Sequence, residues 1–265
     1  HLSIRRQRQM CIRDRLPNFD PFLLFDDFSS PRPEDYLPGF PWHPHRGIET
    51  VTYIISGAVE HGDSIGNSGV IRKGDVQWMT AGSGIVHQEM PLRTEEPLIG
   101  FQLWVNLPKA GKMIAPRYRE ILEAEIPTVS PVQGVVINLI AGSCGNVSGP
   151  VEELEVETDY LDIEMEPGTE YDHPVRQGSH GFVYVFRGRM SLEPAGDSVI
   201  TTGTCARIGN GDVVTFRSRD ETCRAIYVSG VPLHEPIAWG GPIVMNTREE
   251  LDRAFREYRA GTFLK

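Results

Sequence analysis

Apolar residues occur along this chain in short runs of β-branched and aromatic side chains, interrupted at close intervals by Gly, Pro and Asp. Residues 51–55 and 98–107 are typical of buried strands. Two further apolar stretches, 70–71 and 76–79, are separated by the turn-forming pair Gly74-Asp75 and predict a hairpin. The overall pattern indicates an all-β protein of sandwich or barrel type.

Helical signals are confined to two places. Residues 116–123 begin with Pro116 and predict a short helix with proline in its first turn. Near the C-terminus, Thr247 and Glu250 have the spacing of a capping box. This box precedes an apolar stripe at helical spacing, made of Leu251, Ala254, Phe255 and Tyr258. We therefore predict one C-terminal helix that packs on the β-structure.

An internal repeat suggests two copies of one β-unit. Residues 53–59 match residues 184–190 at an offset of 131, and each copy is followed by a Gly-Asp turn and a β-branched strand. The predicted organisation is an N-terminal domain over residues 16–130 and a C-terminal domain over residues 131–265, which ends in the helix.

Charge is distributed unevenly along the chain. Residues 1–15 contain five Arg and one Asp, and since the whole chain has a net charge of −10, the other 250 residues carry −14. So acidic a body excludes direct contact with nucleic acid. We interpret residues 1–15 as a non-native or disordered leader, outside the fold. No apolar run is long enough to span a membrane, and four scattered Cys without a C-x-x-C pair predict a reducing, cytoplasmic location.

Two short clusters are the candidate chemistry. His43 and His45 are two residues apart, as are His87 and Glu89. Side chains at this spacing on a strand point to the same face, so two antiparallel strands across a barrel would bring three imidazoles and one carboxylate together. Three nitrogens and one oxygen suit a divalent transition metal with positions left for water or substrate.

The second copy of the repeat predicts no equivalent site. At the offset of 131, His43 and His45 correspond to Pro174 and Arg176. Alignment on the two Gly-Asp turns instead matches His87 and Glu89 to Arg224 and Ile226. No ligand is retained, and we interpret the nearby His173 and His180 as surface or loop residues. A single metal site in the first domain is the prediction.

Residues 39–53 and 75–91, which contain the two clusters, resemble the two characteristic motifs of the pirin family. Residues 102–107 and 241–247 are also similar to that family. The resemblance implies a bicupin, with two antiparallel β-barrel (jelly-roll) domains face to face and metal only in the N-terminal one. It implies His43, His45, His87 and Glu89 as ligands of a metal that is usually Fe(II), although Mn, Ni, Co, Cu or Zn would tolerate the set.

A second carboxylate competes with Glu89. Glu49 occupies the position where ordinary cupins have their glutamate ligand. It is an even number of residues from His43 and His45, so on one continuous strand its side chain would point to the same face. The resemblance favours Glu89, which leaves Glu49 as a partner for a histidine N–H or as a buried, hydrogen-bonded carboxylate.

The resemblance also implies quercetin 2,3-dioxygenase activity, in which a flavonol ring is opened by O₂ and Glu89 accepts the proton of the 3-hydroxyl group. Phe40, Trp42, Met79 and Met90 would line an apolar slot for the substrate or belong to the barrel core. One alternative stays open, a non-catalytic, iron-dependent, redox-sensing module of the transcription co-regulator type that binds a basic protein. A sugar- or small-acid-binding cupin would require ligands in the second barrel, where the sequence has none.

Overall fold

The computed structural model of the chain describes residues 9–10, 19–193, 199–209 and 211–265. It divides into two compact units: His1–Glu123 with Leu233–Lys265 form unit 1, and Ala124–Pro232 form unit 2. In this division the C-terminal helix groups with unit 1, although the predicted C-terminal domain, residues 131–265, includes it. The physical reason is a shared apolar core, in which Ile243, Leu251 and Phe263 pack with Val86 of the N-terminal region.

Unit 1 contains two antiparallel sheets. The strands of the larger sheet are β1 (Gln9–Met10), β2 (Phe22–Asp27), β4 (Ile48–Ser56), β7 (Val76–Thr80), β9 (Ile99–Asn106) and β10 (Arg117–Ile121). Those of the smaller sheet are β3 (Phe40–His45), β5 (Ala58–Asp63), β6 (Ser68–Arg72) and β8 (Ile85–Pro91). The orders are β1-β2-β9-β4-β7-β10 and β3-β8-β5-β6. Apolar side chains between them form the core of the unit, for example Ile48, Met79 and Ile85.

The remaining elements of unit 1 are short. They are the helix α1 (Pro33–Tyr36), the hairpin strands β23 (Ala238–Gly240) and β24 (Ile243–Met245), the helix α2 (Arg248–Arg259) and the 3₁₀ turn Lys109–Gly111. The capping box predicted at the start of α2 is confirmed, because Thr247 accepts from the Glu250 amide while the Glu250 side chain accepts from the Thr247 amide. No helix in the described part of the chain is long and apolar enough to cross a membrane.

Two local predictions in unit 1 are wrong. The stretch predicted as a helix over residues 116–123 is strand β10, because its backbone pairs with β7 along five residues and this pairing outweighs local preference. The stretches around Gly74-Asp75 are not a hairpin: β6 pairs with β5, while β7 pairs with β4 and β10. The Gly-Asp turn therefore connects the two sheets of the barrel instead of two paired strands.

Unit 2 has the same architecture. The strands of its larger sheet are β11 (Thr128–Val129), β12 (Val135–Ala141), β15 (Thr158–Met165), β17 (His180–Arg187), β20 (Thr204–Ile208) and β22 (Cys223–Gly230). Those of its smaller sheet are β16 (Glu170–Pro174), β18 (Arg189–Glu193), β19 (Val199–Thr201) and β21 (Val213–Ser218), and β13 (Ser143–Cys144) pairs with β14 (Val147–Ser148) apart from both. The orders are β11-β12-β15-β22-β17-β20 and β16-β21-β18-β19.

Nine of the ten strands in the two main sheets of each unit correspond in strand order. β1-β2-β9-β4-β7 matches β12-β15-β22-β17-β20, and β3-β8-β5-β6 matches β16-β21-β18-β19. Tyr53 of β4 and Tyr184 of β17 occupy equivalent positions in this scheme, 131 residues apart, as the repeat predicts. Because the correspondence is fixed by pairing, it allows residues of the two barrels to be compared one by one.

Most of the predicted leader, residues 1–15, lies outside the described residues. Its described part is Gln9–Met10, which forms strand β1. This strand pairs antiparallel with β2, with Gln9 opposite Asp27 and Met10 opposite Asp26. That the leader as a whole is dispensable stays a prediction.

Candidate metal centre

Three of the predicted ligands converge inside the barrel of unit 1. Strands β3 and β8 pair so that His43 lies directly opposite His87, and His45 is two residues further along β3. The His43 Nε2 atom is 3.0 Å from the Nε2 atoms of both His45 and His87. Among the described residues, these three histidines are the group whose candidate ligand atoms all lie within 4.8 Å of one another.

The hydrogen bonds of the Nδ1 atoms show which ring nitrogen of His43 and His45 is free to bind a metal. The Nδ1 atoms of His43 and His45 lie 2.8 Å and 3.0 Å from the carbonyl oxygens of Pro41 and Pro242. A carbonyl only accepts, so each Nδ1 carries the proton and each Nε2 presents a lone pair. Two lone pairs facing each other at 3.0 Å repel unless a cation lies between them. The donor set therefore fits a metal ion, since nitrogens about 2.1 Å from one ion and at right angles are about 3.0 Å apart.

Burial keeps the imidazoles of His45 and His87 neutral. Loss of hydration, with a smaller effect of the neighbouring His43, lowers the pKa of His45 to about 3. Loss of hydration also lowers the pKa of His87 well below its ordinary value, and the other histidines add to this. Because a metal binds the neutral ring, no proton has to be displaced from these two residues at neutral pH.

Glu89 is not part of the convergent group. It is buried, and its two carboxylate oxygens accept from the Thr52 hydroxyl at 2.7 Å and the Gln102 amide at 2.6 Å. The Gln102 side chain in turn accepts from Trp104 Nε1 at 2.9 Å, and the Trp104 ring meets the His45 ring edge-on with centroids 4.9 Å apart. The carboxylate is thus held within a buried network that ends against a histidine of the centre.

Glu49 does not point towards the three histidines, although its even spacing from His43 and His45 predicts that it would. Its Oε1 accepts from the Thr80 hydroxyl at 2.6 Å and is 3.5 Å from Arg119 Nη2. Its pKa is raised by burial, and the bond from Thr80 opposes that rise. Parity fails because β3 ends at His45 and β4 begins at Ile48 in the other sheet. Thr52 of β4 contacts Glu89, and Glu49, an odd number of residues away, is on the opposite face of the strand.

The four predicted pocket residues differ in their environments. Met79 is fully buried in the barrel core with Ile48 and Ile85, which is the core role that the sequence left open. Trp42 is 53% exposed. Phe40 and Met90 are half-buried, and Phe40 meets Phe28 edge-on.

Sequence reasoning missed another buried imidazole next to these histidines, that of His61. It pairs across strands β5 and β8 with Glu89, and its ring lies 5.5 Å from that of His87. Gln77 contacts its Nδ1 at 2.7 Å, and Tyr118 stacks on the ring at 4.9 Å. The available signal was His61-x-Asp63, which repeats the spacing of the ligand pairs. The buried partners Thr52 and Gln102 had a weaker signal, as polar residues within apolar strands.

The pairing of strands corrects the comparison with the second barrel. Gly211-Asp212 precedes β21, the counterpart of β8, whereas Gly74-Asp75 precedes β7, so alignment on these turns was wrong. We instead assign residues by what lies opposite them on the neighbouring strand. His61 lies opposite Glu89, and its counterpart Leu192 lies opposite Phe216, so Glu89 corresponds to Phe216 and His87 to Val214.

By the same pairing, His43 corresponds to His173 in unit 2. The interpretation of His173 as a surface or loop residue is wrong, because it is buried and its Nδ1 lies 3.0 Å from the Tyr171 hydroxyl. His180 is half-buried at the start of β17. Within the described residues, the second barrel brings together no group of ligand atoms like that of His43, His45 and His87.

Comparison with known proteins agrees with this architecture. The Pirin family model matches residues 3–105, and the model of the Pirin C-terminal cupin domain matches residues 160–264. The chain is 40% identical to human pirin over 257 residues, which are 96% of this chain and 86% of that protein. The chain belongs to the pirin family. The first match begins inside the segment that the sequence interpretation set aside as a leader.

Other relatives carry enzyme names. A Pseudomonas aeruginosa protein named "Putative quercetin 2,3-dioxygenase" is 41% identical, over 92% of this chain and 86% of its own length. The crystal structure of a quercetin 2,3-dioxygenase from Acinetobacter baumannii superimposes with a TM-score of 0.84 at 33% identity, covering 94% of this chain and 88% of that one. The predicted all-β bicupin class is thus confirmed.

Proposed function

We propose that this pirin is a mononuclear, metal-dependent dioxygenase that opens the ring of flavonols such as quercetin with O₂. The observation that carries the proposal is the set of three imidazole Nε2 atoms that face one another within the first barrel. The names of its relatives from Pseudomonas aeruginosa and Acinetobacter baumannii support the choice of reaction.

In this proposal His43, His45 and His87 hold the metal, with Fe(II) as the ion and Glu89 as a fourth ligand. The neutral, buried state of His45 and His87 supports their role, since metals bind the unprotonated ring. For Glu89 the support is its position on β8, two residues from His87, and its burial beside the same centre. When bound, the ion would acidify a coordinated hydroxyl group and supply redox chemistry with O₂.

We assign to Glu89 the proton of the flavonol 3-hydroxyl group. Thr52 and Gln102 donate to its two oxygens and so fix the direction in which the carboxylate points. In this proposal the carboxylate, held in that direction, takes up the proton of a hydroxyl group placed beside it, as a general base does.

Apolar surface around the histidines favours a flat aromatic substrate. Trp104 packs its ring against His45, and Trp239 lies 6.2 Å from Trp104. Such a wall would exclude water from an activated ring and stack on its faces.

The test is anaerobic purification and metal analysis, followed by quercetin turnover under O₂. We expect one metal per chain, consumption of O₂, loss of the flavonol absorbance and release of CO. His87→Ala is the matched control and should be inactive. Full metal loading without turnover of flavonols of several sizes would contradict the enzyme and favour the iron-dependent binding module. In that case a basic protein partner is expected, because the chain carries a charge of −10.

A further inference from the structure

The orientation of His45 depends on a part of the chain that is 197 residues away. Its Nδ1–H donates to the carbonyl oxygen of Pro242 at 3.0 Å. By contrast, His43 uses the carbonyl of Pro41, only two residues away, and His87 Nδ1 has no hydrogen-bond partner among the described residues. His45 is thus the imidazole of the centre whose tautomer is fixed by the C-terminal segment.

Pro242 is itself held by backbone contacts at the turn that follows His45. The Val244 amide donates to the Arg46 carbonyl at 3.0 Å, and Ile243 forms a parallel bridge with Arg46. The turn requires Gly47, because its φ is +78° and a Cβ atom there would lie 2.0 Å from the Val244 carbonyl oxygen.

A buried lysine joins the same two backbones. The Lys112 ammonium donates to the carbonyls of Gly47 at 2.9 Å and Val244 at 3.1 Å, and to Asn106 Oδ1 at 2.7 Å. Since all three of its hydrogen bonds are satisfied, the buried cation ties strand β24 to the turn after His45.

The side chain of Arg46, the residue after His45, reaches further into the C-terminal segment. It is 2% exposed. Its guanidinium donates to the Ser83 carbonyl at 2.7 Å, to Glu257 Oε2 at 2.7 Å and to the Phe263 carbonyl at 2.8 Å. It also lies 4.2 Å from the centroid of the Phe263 ring. The end of helix α2 and the residues after it therefore fix the backbone next to a predicted ligand.

We propose that residues 242–263 are a positioning element of the metal centre, which holds His45 in its Nδ1–H tautomer through Pro242 and fixes its backbone through Arg46 and Glu257. Arg46 and Glu257 act through His45 and are positioning residues. The inference rests on the proposed function, because it takes the three histidines as the metal site. Contacts that orient a ligand in this way typically change metal affinity by about 10- to 100-fold.

The experiment measures Co²⁺ affinity of the full chain by its visible absorption, in the wild type and in Glu257→Gln and Arg46→Lys. We expect Co²⁺ binding to be about 10-fold weaker in both variants. Glu249→Gln is the matched control: it lies in the first turn of the same helix, is exposed and should bind as the wild type does.

A second measurement separates positioning from general stability. The ¹⁵N shifts of His45 in the metal-free chain report the fraction of the Nδ1–H tautomer, which should fall in Glu257→Gln and stay unchanged in Glu249→Gln. Unchanged affinity and tautomer in Glu257→Gln, even with a lower melting temperature, would overturn the inference. If the wild type bound no metal, the proposed function would fail, while the tautomer measurement would still decide this point.

Discussion

The two barrels have the same strand order but opposite interiors. Equivalent positions in the paired strands carry His87, Glu89, His61 and Thr52 in the first barrel, and Val214, Phe216, Leu192 and Val183 in the second. The second set belongs to one continuous apolar core. The strand framework therefore does not require a polar centre. In the first barrel the buried Glu89 and His61 have hydrogen-bond partners on other strands, namely Thr52, Gln102 and Gln77.

The largest expected effect is the loss of metal when a histidine of the first barrel is removed, compared with removal of His173 in the second. His43→Ala, His45→Ala or His87→Ala should each abolish stoichiometric metal loading, because each removes one of the three ligand nitrogens. His173→Ala, at the position equivalent to His43, should leave loading at one ion per chain. Elemental analysis of the purified proteins checks both. Two ions per chain in the wild type, or loss of metal in His173→Ala, would place a site in the second barrel.

The two buried glutamates of the first barrel should differ in effect by a large factor. Glu89→Gln retains the size of the side chain but loses its charge and basicity, so flavonol turnover should fall by about 10² or more. Glu49→Gln should leave metal affinity unchanged, since Glu49 bonds to Thr80 on the opposite face of β4. Steady-state turnover and Co²⁺ titration give the ranking. The reverse order would assign the ligand to Glu49, as in an ordinary cupin.

His173 should make the stability of the metal-free chain sensitive to acid. Burial lowers its pKa to about 4 from 6.5, so between these values the unfolded chain binds more protons and stability falls as the pH falls. This loss in the free energy of unfolding is absent above pH 6.5 and reaches about 3 kcal/mol near pH 4. In His173→Phe the loss of urea stability between pH 6.5 and 4 should be smaller by up to that amount. An identical pH profile would show that His173 is not buried in its neutral form.

Removing the metal should affect stability less than it affects activity. Both barrels have apolar cores, so chelation should leave the β-type circular dichroism intact. The ion should add stability by binding the native state, about 2.7 kcal/mol at 100 times its Kd. A thermal scan with and without chelator measures this. Complete unfolding on chelation would mean that the polar interior of the first barrel cannot persist without its cation.

Alternation and spacing predict the two β-barrels, the capped helix and the convergence of His43, His45 and His87, because each depends on residues close in sequence or on one pair of strands. The prediction fails where the chain changes sheet. The corner at Arg46-Gly47 resets the parity count, so Glu49 is directed away from the centre. For the same reason, the turn at Gly74-Asp75 could not be told from a hairpin.

Other features arise from contacts that no local pattern contains. Strand β10 exists because β7 offers an edge to pair with, although Pro116 favours a helix start. In the sequence, Thr52 and Gln102 cannot be distinguished from other polar residues of a strand. Their function, donation of hydrogen bonds to Glu89, appears only in the folded structure. The hydrogen bond between His45 and Pro242 joins one residue that precedes unit 2 in the sequence to one that follows it.

That last separation has a consequence for biosynthesis. All three histidines of the centre lie before residue 124, but Pro242 follows unit 2, which spans Ala124–Pro232. A ribosome adds about 5–20 residues per second, so the histidines exist for several seconds before Pro242 is made. All residues of unit 2 are thus synthesised before residues 233–265, which share an apolar core with Val86 of unit 1. We therefore expect the nascent first barrel to be the later of the two to mature and to acquire its metal after synthesis has passed Pro242.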